Sequence, residues 1–320
     1  MSNISIFASQ NLLFTWKQVP IMETAINSPF RYAGGKFYAR HLILEHISPH
    51  SVYVEPFAGG GSIFFAKNKV AFNWLNDADP DLINMYHTIQ SMPNELAEAL
   101  ANEVATKERH AWYKNECVPN NDFERAVRWY YLNRTSYSGI MNPKNCYWGY
   151  GDKYSMRPEN WGRNIFRTSV KLQDVRLTCW DFEDVLEQVK DGAFLFIDPP
   201  YFNADQDKFY CFSFTYDDHI RLCKALQRQQ HRINFLLTYD NSPEIRMMYD
   251  WAAEIHDKEW NYTINRTDDQ KLTQARKSGV VTTAKIEKRP RYKGREIFIL
   301  NYSTKQNLLF ALNNAEEQMF

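Results

Sequence analysis

Apolar residues change their spacing several times along this chain, and each change predicts a different kind of element. Short apolar runs at Ser51-Val52-Tyr53-Val54-Glu55, Ala71-Phe72-Asn73-Trp74-Leu75, Arg176-Leu177-Thr178-Cys179, Phe194-Leu195-Phe196-Ile197 and Ile233-Asn234-Phe235-Leu236-Leu237 predict strands, the longest of them buried on both faces of a parallel sheet. Helical stretches at residues 62–67, 182–189 and 217–229 separate several of these runs. Across residues 81–133 the strand pattern disappears, and apolar positions recur at helical spacing in Leu82-Ile83-Met85-Tyr86, Leu96-Leu100-Val104 and Phe123-Val127-Tyr130-Tyr131. Residues 134–163 read as loop, with turn signals at Asn142-Pro143 and Gly149–Gly151. This loss of strand–helix alternation places an inserted domain at residues 83–173, between main-domain segments 28–82 and 174–320. Residues 1–27 show no clear period and form an N-terminal extension, while residues 259–266 and 296–302 read as a closing pair of strands joined by a basic loop.

What ends each strand carries the chemistry. The run Phe194–Ile197 stops at Asp198-Pro199-Pro200-Tyr201, because two prolines cannot donate to a ladder. A carboxylate and an aromatic ring therefore stand at the carboxyl end of a buried strand, where open α/β sheets bind ligands. Alone, this could be a strand that merely stops in a proline turn. Residues 51–55 lead into Pro56-Phe57-Ala58-Gly59-Gly60-Gly61, with Ser62 a suitable N-cap for the helix that follows. Strand, glycine loop and helix are the parts that cradle nucleotide-type cofactors through backbone N–H groups. The second strand ends in Asn76-Asp77, roughly 20 residues beyond the loop, where an acid reaches ribose hydroxyls. Asp77 suits this better than Asp79 because it follows the strand directly, and Asp181 lies just past the third strand. Arg31-Tyr32-Ala33-Gly34-Gly35-Lys36 adds an aromatic face and a cation around a flexible glycine pair.

Composition narrows the field. The chain has 320 residues, with Lys+Arg and Asp+Glu balanced at 38 each, so a polyanionic partner would have to be met by local segregation of charge. Five cysteines show no C-x-x-C pair and no zinc spacing, which fits reduced thiols in a cytoplasmic protein; no metal is expected. The first 20 residues lack the basic head, apolar stretch and cleavage site of a signal peptide, and no run is long enough to span a membrane.

In order and spacing, these stretches resemble the Dam-type (D12 class) adenine-N6 DNA methyltransferases, whose methyl donor is S-adenosylmethionine. The resemblance extends over nearly all of residues 29–302 and rests on Arg31–Lys36, Val54–Ser62, Asp77–Ile83, Asn133-Arg134-Thr135-Ser136-Tyr137-Ser138-Gly139, Asp198–Tyr201 and Asn301-Tyr302. It implies a Rossmann-like class I methyltransferase fold: a mostly parallel seven-stranded sheet with a mainly helical target-recognition domain inserted. It further implies that Tyr32, Lys36, Gly59, Asp77, Asp181 and Asp198 contact the cofactor, and that Asp198, Pro199 and Tyr201 act on a flipped-out adenine. The family usually has Trp where Tyr32 stands; Tyr keeps a stacking face.

Tyr137 and Ser138 open the hairpin that, in the family, enters double-stranded DNA. Dam enzymes reading GATC carry an arginine near the position of Asn142, and its absence here implies another site, since asparagine pairs with adenine rather than guanine. Lys285, Lys288, Arg289, Arg291, Lys293 and Arg295 crowd one loop, from which Arg289 and Arg291 are expected to contact phosphates. Such enzymes serve restriction–modification, host or phage DNA marking, with a cognate endonuclease acting separately in the first case. Rival readings are the same chemistry on RNA adenine or cytosine N4, or a non-catalytic DNA-binding relative. A nicotinamide dehydrogenase is disfavoured, because Phe64 stands where its loop would have a last glycine.

Overall fold

The computed structural model describes residues 25–151, 153, 155–203, 213–261 and 293–304. Its seven strands are β1 (Val52–Glu55), β2 (Phe72–Asn76), β3 (Val175–Thr178), β4 (Phe194–Ile197), β5 (Asn234–Asp240), β6 (Glu254–Asn261) and β7 (Lys293–Leu300). They form one sheet in the order β3-β2-β1-β4-β5-β7-β6. The first five run parallel, and β7 is antiparallel to both β5 and β6. This is the mostly parallel, Rossmann-like sheet expected. The sixth strand starts at Glu254, five residues before the expected start, in register with Leu300. Its charged opening, Glu254-Ile255-His256-Asp257-Lys258, suits an exposed edge and hides the strand in an apolar reading.

Alternation of side chains along β4 divides the interior in two. Phe194 and Phe196 join Tyr53 and Leu75 on one face, covered by α1 (Arg40–Leu44), α2 (Ser62–Ala66), α3 (Pro80–Ser91), α4 (Pro93–Leu100), α6 (Asp122–Thr135) and α7 (Trp161–Leu172). α5 (Lys107–Asn115) packs on α6 and adds Tyr113 to this cluster. Leu195 and Ile197 join Val54 and Trp74 on the other face, under α8 (Phe182–Gln188), α9 (Tyr216–Gln229) and α10 (Pro243–Met248). Each fully buried large side chain contributes about 1.5–3 kcal/mol. The helices from the expected insertion thus share one apolar cluster with the first face of the sheet. α7 has no counterpart in the sequence reading, although Trp161, Ile165 and Leu172 share its buried face; the Lys171 ammonium bonds the Lys67 carbonyl at 2.6 Å.

At the glycine loop one local expectation is corrected. Gly61, not Ser62, caps α2, and Ser62 is its first helical residue. The backbone at Gly61 is left-handed (φ 64°), and a β-carbon there would lie 2.8 Å from the Phe65 ring. A glycine turn therefore replaces a side-chain cap.

The strand order places the site. From β1 the chain moves outward through β2 to β3, then returns to lay β4 on the other side of β1. That reversal opens a crevice above the carboxyl ends of β1 and β4, where the glycine loop and Asp198 emerge.

Candidate active site

The loop after β1 is built for close approach. Gly59 and Gly61 have positive φ, and β-carbons at Gly59 and Gly60 would stand 2.8 and 2.9 Å from Tyr32 atoms. Tyr32 thus lies directly against the loop. Ser28 donates to the Gly60 carbonyl at 2.5 Å, and the Tyr86 hydroxyl to the Gly59 carbonyl at 2.8 Å. Asp77 closes the other side, accepting from the Gly59 N–H at 2.8 Å and the Asp79 N–H at 3.0 Å. Burial outweighs these bonds and pushes its carboxyl up to about 6. The N–H of Gly59 is therefore engaged by Asp77, and that of Gly61 by the Ala58 carbonyl. Asp79 caps α3 instead, accepting from Asp81 and Leu82.

Beneath the loop, Asn76 braces three strand ends. Its amide donates to the Pro56 and Trp180 carbonyls, and its oxygen accepts from the Trp180 N–H and the Thr178 hydroxyl. Glu55, fully enclosed, accepts from Tyr53 and from the Phe64 N–H, and burial pushes its carboxyl up to about 8.

Asp198 stands at the end of β4, the strand beside β1. Lys36 lies 2.7 Å from its carboxylate, with exposures of only 4% for Lys36 and 19% for Asp198, so the pair is largely withdrawn from water. The Thr238 hydroxyl donates to Asp198 Oδ1 at 2.6 Å. Lys36 also donates to the Gly34 carbonyl and sits 4.8 Å above the Tyr201 ring. Asp240, at the end of β5, accepts from the Phe202 N–H and the Asn203 amide, fixing the chain beyond the prolines. The Tyr201 hydroxyl donates to Glu296, a β7 residue that is 1% exposed. A carboxylate has about four lone-pair positions. Lys36 and Thr238 occupy part of that capacity, and the remainder suits an incoming amine.

A family model, that of the D12 class N6 adenine-specific DNA methyltransferases, matches residues 32–264. The chain belongs to this family. Its matched span covers Tyr32, Lys36, the glycine loop, Asp77 and Asp198. A DNA N-6-adenine-methyltransferase from Escherichia phage P1 is 28% identical over 69% of this chain, an alignment that spans only 31% of the phage protein. The Type II methyltransferase M1.LlaDCHI of Lactococcus lactis subsp. cremoris is 25% identical, with 69% of this chain and 84% of that protein aligned. The DNA adenine methylase of Escherichia coli K12 is also 25% identical, with 80% of this chain and 97% of that protein aligned.

Within this methyltransferase the remaining candidates fall into three places. Asp181 caps α8 at the Glu183 N–H and pairs with Arg221 at 2.9 Å, while its neighbour Trp180 donates to Asn76. Beside it, Phe57, Phe182 and Phe214 form an aromatic cluster with ring centroids 5.5–5.7 Å apart. In the expected insertion, Tyr137 is half exposed, and Ser138 adopts a left-handed conformation (φ 54°), which is strained for a residue other than glycine. A β-carbon at Gly139 would stand 2.0 Å from the Arg31 carbonyl oxygen, so this hairpin is pressed against the segment carrying Tyr32 and Lys36. Asn142 caps its own turn, accepting from the Lys144 N–H at 3.0 Å. Arg289 and Arg291, with the rest of the basic loop up to residue 292, lie outside the described residues.

Four participants were missed in the sequence: Asn76, Asn133, Thr238 and Glu296. Asn133 brackets Arg31, accepting from its N–H at 3.1 Å and donating to its carbonyl at 2.8 Å. A polar residue inside an otherwise apolar strand, as Thr238 is in β5, is the signal that could have found one of them.

Proposed function

We propose that this enzyme methylates adenine N6 at specific sites in double-stranded DNA, with Asp198 as acceptor for the amine. The observation that carries this reading is the placement of Asp198 at the reversal of strand order, at the end of the strand beside the one that leads into the glycine loop and Asp77. The loop, the half-buried Asp77 and the Phe57–Phe182–Phe214 cluster fit a cofactor with a flat base, a ribose and a short polar chain. In this assignment Tyr32 and Gly59 lie along the chain, Asp77 holds the ribose, and Asp181 stands by the base. When bound, S-adenosylmethionine supplies an electrophilic methyl group on a positively charged sulfur.

The protein's share is to make a poor nucleophile better. The lone pair of an adenine amine is delocalised into the ring; hydrogen bonds from its two N–H groups to Asp198 and to the Pro199 carbonyl favour a pyramidal nitrogen with that pair available. Lys36 holds the Asp198 carboxylate in its orientation. The target is unreachable inside a duplex, so the base must be turned out, and the Tyr201 ring is the surface proposed to receive it. Residues 83–173 supply target recognition through Tyr137, Ser138 and Asn142, while Arg289 and Arg291 hold phosphates. Work in the cytoplasm on unpackaged DNA, alone or beside a cognate endonuclease, suits such an enzyme, and its chemistry calls for no metal.

A labelled-methyl assay on duplex DNA, single-stranded DNA and RNA, with nucleoside analysis of the product, tests this. N6-methyladenine made chiefly in duplex DNA supports it. Product on cytosine, product confined to RNA, or no product at all would overturn it.

A further inference from the structure

Along β4 and β5 the first face of the sheet is apolar as far as Phe196 and Leu236, which stand side by side in register. Two residues further along each strand, on the same face by alternation, come Asp198 and Thr238, and two further on β5 comes Asp240. Thr238 is fully buried, where a hydroxyl needs a partner. It finds Asp198 Oδ1 at 2.6 Å, much closer than the Ile197 carbonyl at 3.4 Å. Asp240 uses its two oxygens separately, taking the Phe202 N–H at 3.0 Å and the Asn203 amide at 2.7 Å. One strand thus holds the Asp198–Tyr201 turn from both sides, at its first residue and at the two residues that follow it.

Lys36 does not fix the twist of this carboxylate by itself. Its ammonium lies 2.7 Å from each Asp198 oxygen, and a point charge placed evenly between two equivalent oxygens leaves the twist of their plane open. The torsion that sets this twist is broad for aspartate. Thr238 bonds one oxygen only, from a β-branched side chain that is stiff at χ1 and anchored in β5 between β4 and β7. We propose that Thr238 and Asp240 are positioning residues for methyl transfer: Thr238 sets the plane of the Asp198 carboxylate, and Asp240 sets the turn that carries the Pro199 carbonyl. The inference rests on these two groups being the amine's acceptors.

The reason is geometric. Both N–H groups of the amine must be held at once if its lone pair is to point at the methyl carbon, so the two acceptors need a fixed separation and direction. A carboxylate plane turned away spoils the bond to the amine without touching cofactor or DNA. A shift of about 1 Å in such an arrangement costs about 10²-fold in rate. Binding should be spared, because Thr238 is enclosed by protein and reaches the substrates only through Asp198.

Single-turnover methyl transfer to duplex DNA, with cofactor and DNA affinities measured beside it, tests this. Thr238→Val keeps the size and removes the hydroxyl; it should slow transfer by about 10²-fold, with both affinities within about threefold of wild type. Thr238→Ser returns the hydroxyl and should recover most of the rate. Asp240→Ala should slow transfer by about tenfold, and Asp240→Asn, which keeps one acceptor oxygen, by less. Infrared carboxylate bands of Asp198, assigned by their loss in Asp198→Asn, should shift in Thr238→Val and return in Thr238→Ser. A wild-type rate in Thr238→Val, unmoved bands, or a Thr238→Ser as slow as Thr238→Val, which marks lost packing, would overturn the role of Thr238. A wild-type rate in Asp240→Ala overturns that of Asp240, and this variant carries the test if Thr238→Val does not fold. A wild type that makes no N6-methyladenine refutes the proposed function instead, and the bands then still decide whether Thr238 holds Asp198.

Discussion

Lys36 and Asp198 stand 162 residues apart in sequence and 2.7 Å apart in space. The ion pair joins the glycine-pair segment before α1 to the end of β4, so these two segments are held as one unit. Its ammonium also lies over the Tyr201 ring, and Tyr201 in turn reaches β7 through Glu296.

Removing one partner of this pair should cost more than removing both. Lys36→Met leaves a largely buried carboxylate uncompensated, at about 3–5 kcal/mol of stability. Asp198→Asn strands the ammonium in the same way. The double variant should recover much of the loss in urea unfolding, and simple additivity would show that the two groups are not coupled. Methyl transfer should vanish in Asp198→Ala while the fold is retained; turnover within tenfold of wild type would refute its role.

Asp77→Ala should weaken S-adenosylmethionine binding by roughly 1.5–3 kcal/mol, the scale of a hydrogen bond to a charged group. It also releases the Gly59 and Asp79 N–H groups that Asp77 now holds. Calorimetry with an unchanged affinity would move the ribose contact elsewhere.

Stability should fall as pH rises from about 4.5 to about 8, because Glu55 keeps its proton in the folded protein up to about 8 while an ordinary glutamate loses it near 4.5. In that window the unfolded chain binds fewer protons than the folded one, so each such group lowers stability by up to about 1.4 kcal/mol per pH unit. The stabilisation is complete below about 4.5 and gone above about 8. Glu55→Gln should flatten part of this slope in unfolding curves at pH 5, 6.5 and 8; an identical slope would show that Glu55 is ionised in the fold.

Sequence preference should depend on Asn142. Arginine takes guanine O6 and N7 with two hydrogen bonds, whereas asparagine matches adenine, a difference of about 1–3 kcal/mol at one base. The main site should not be GATC, and Asn142→Arg should shift preference at one position with cofactor affinity intact. Because Asn142 also caps its turn at Lys144, Asn142→Asp is the control for the turn alone. Sequencing of methylated bases decides the matter, and GATC as the main wild-type site would end the argument.

The sequence by itself determined the parallel sheet, the glycine loop and the two acids. Each rests on a local rule: an apolar run buried on both faces, a loop without β-carbons, a strand halted by two prolines. It misplaced the start of β6, whose Glu254, His256 and Lys258 suit an edge and carry no apolar signal, and passed over α7, although Trp161, Ile165 and Leu172 recur there at helical spacing. Only the tertiary structure brought Lys36 to Asp198, Asn133 around Arg31, and Glu296 to Tyr201. Those contacts join segments 95 or more residues apart, and the order of strands in the sheet, unlike the strands themselves, is decided by packing both faces at once.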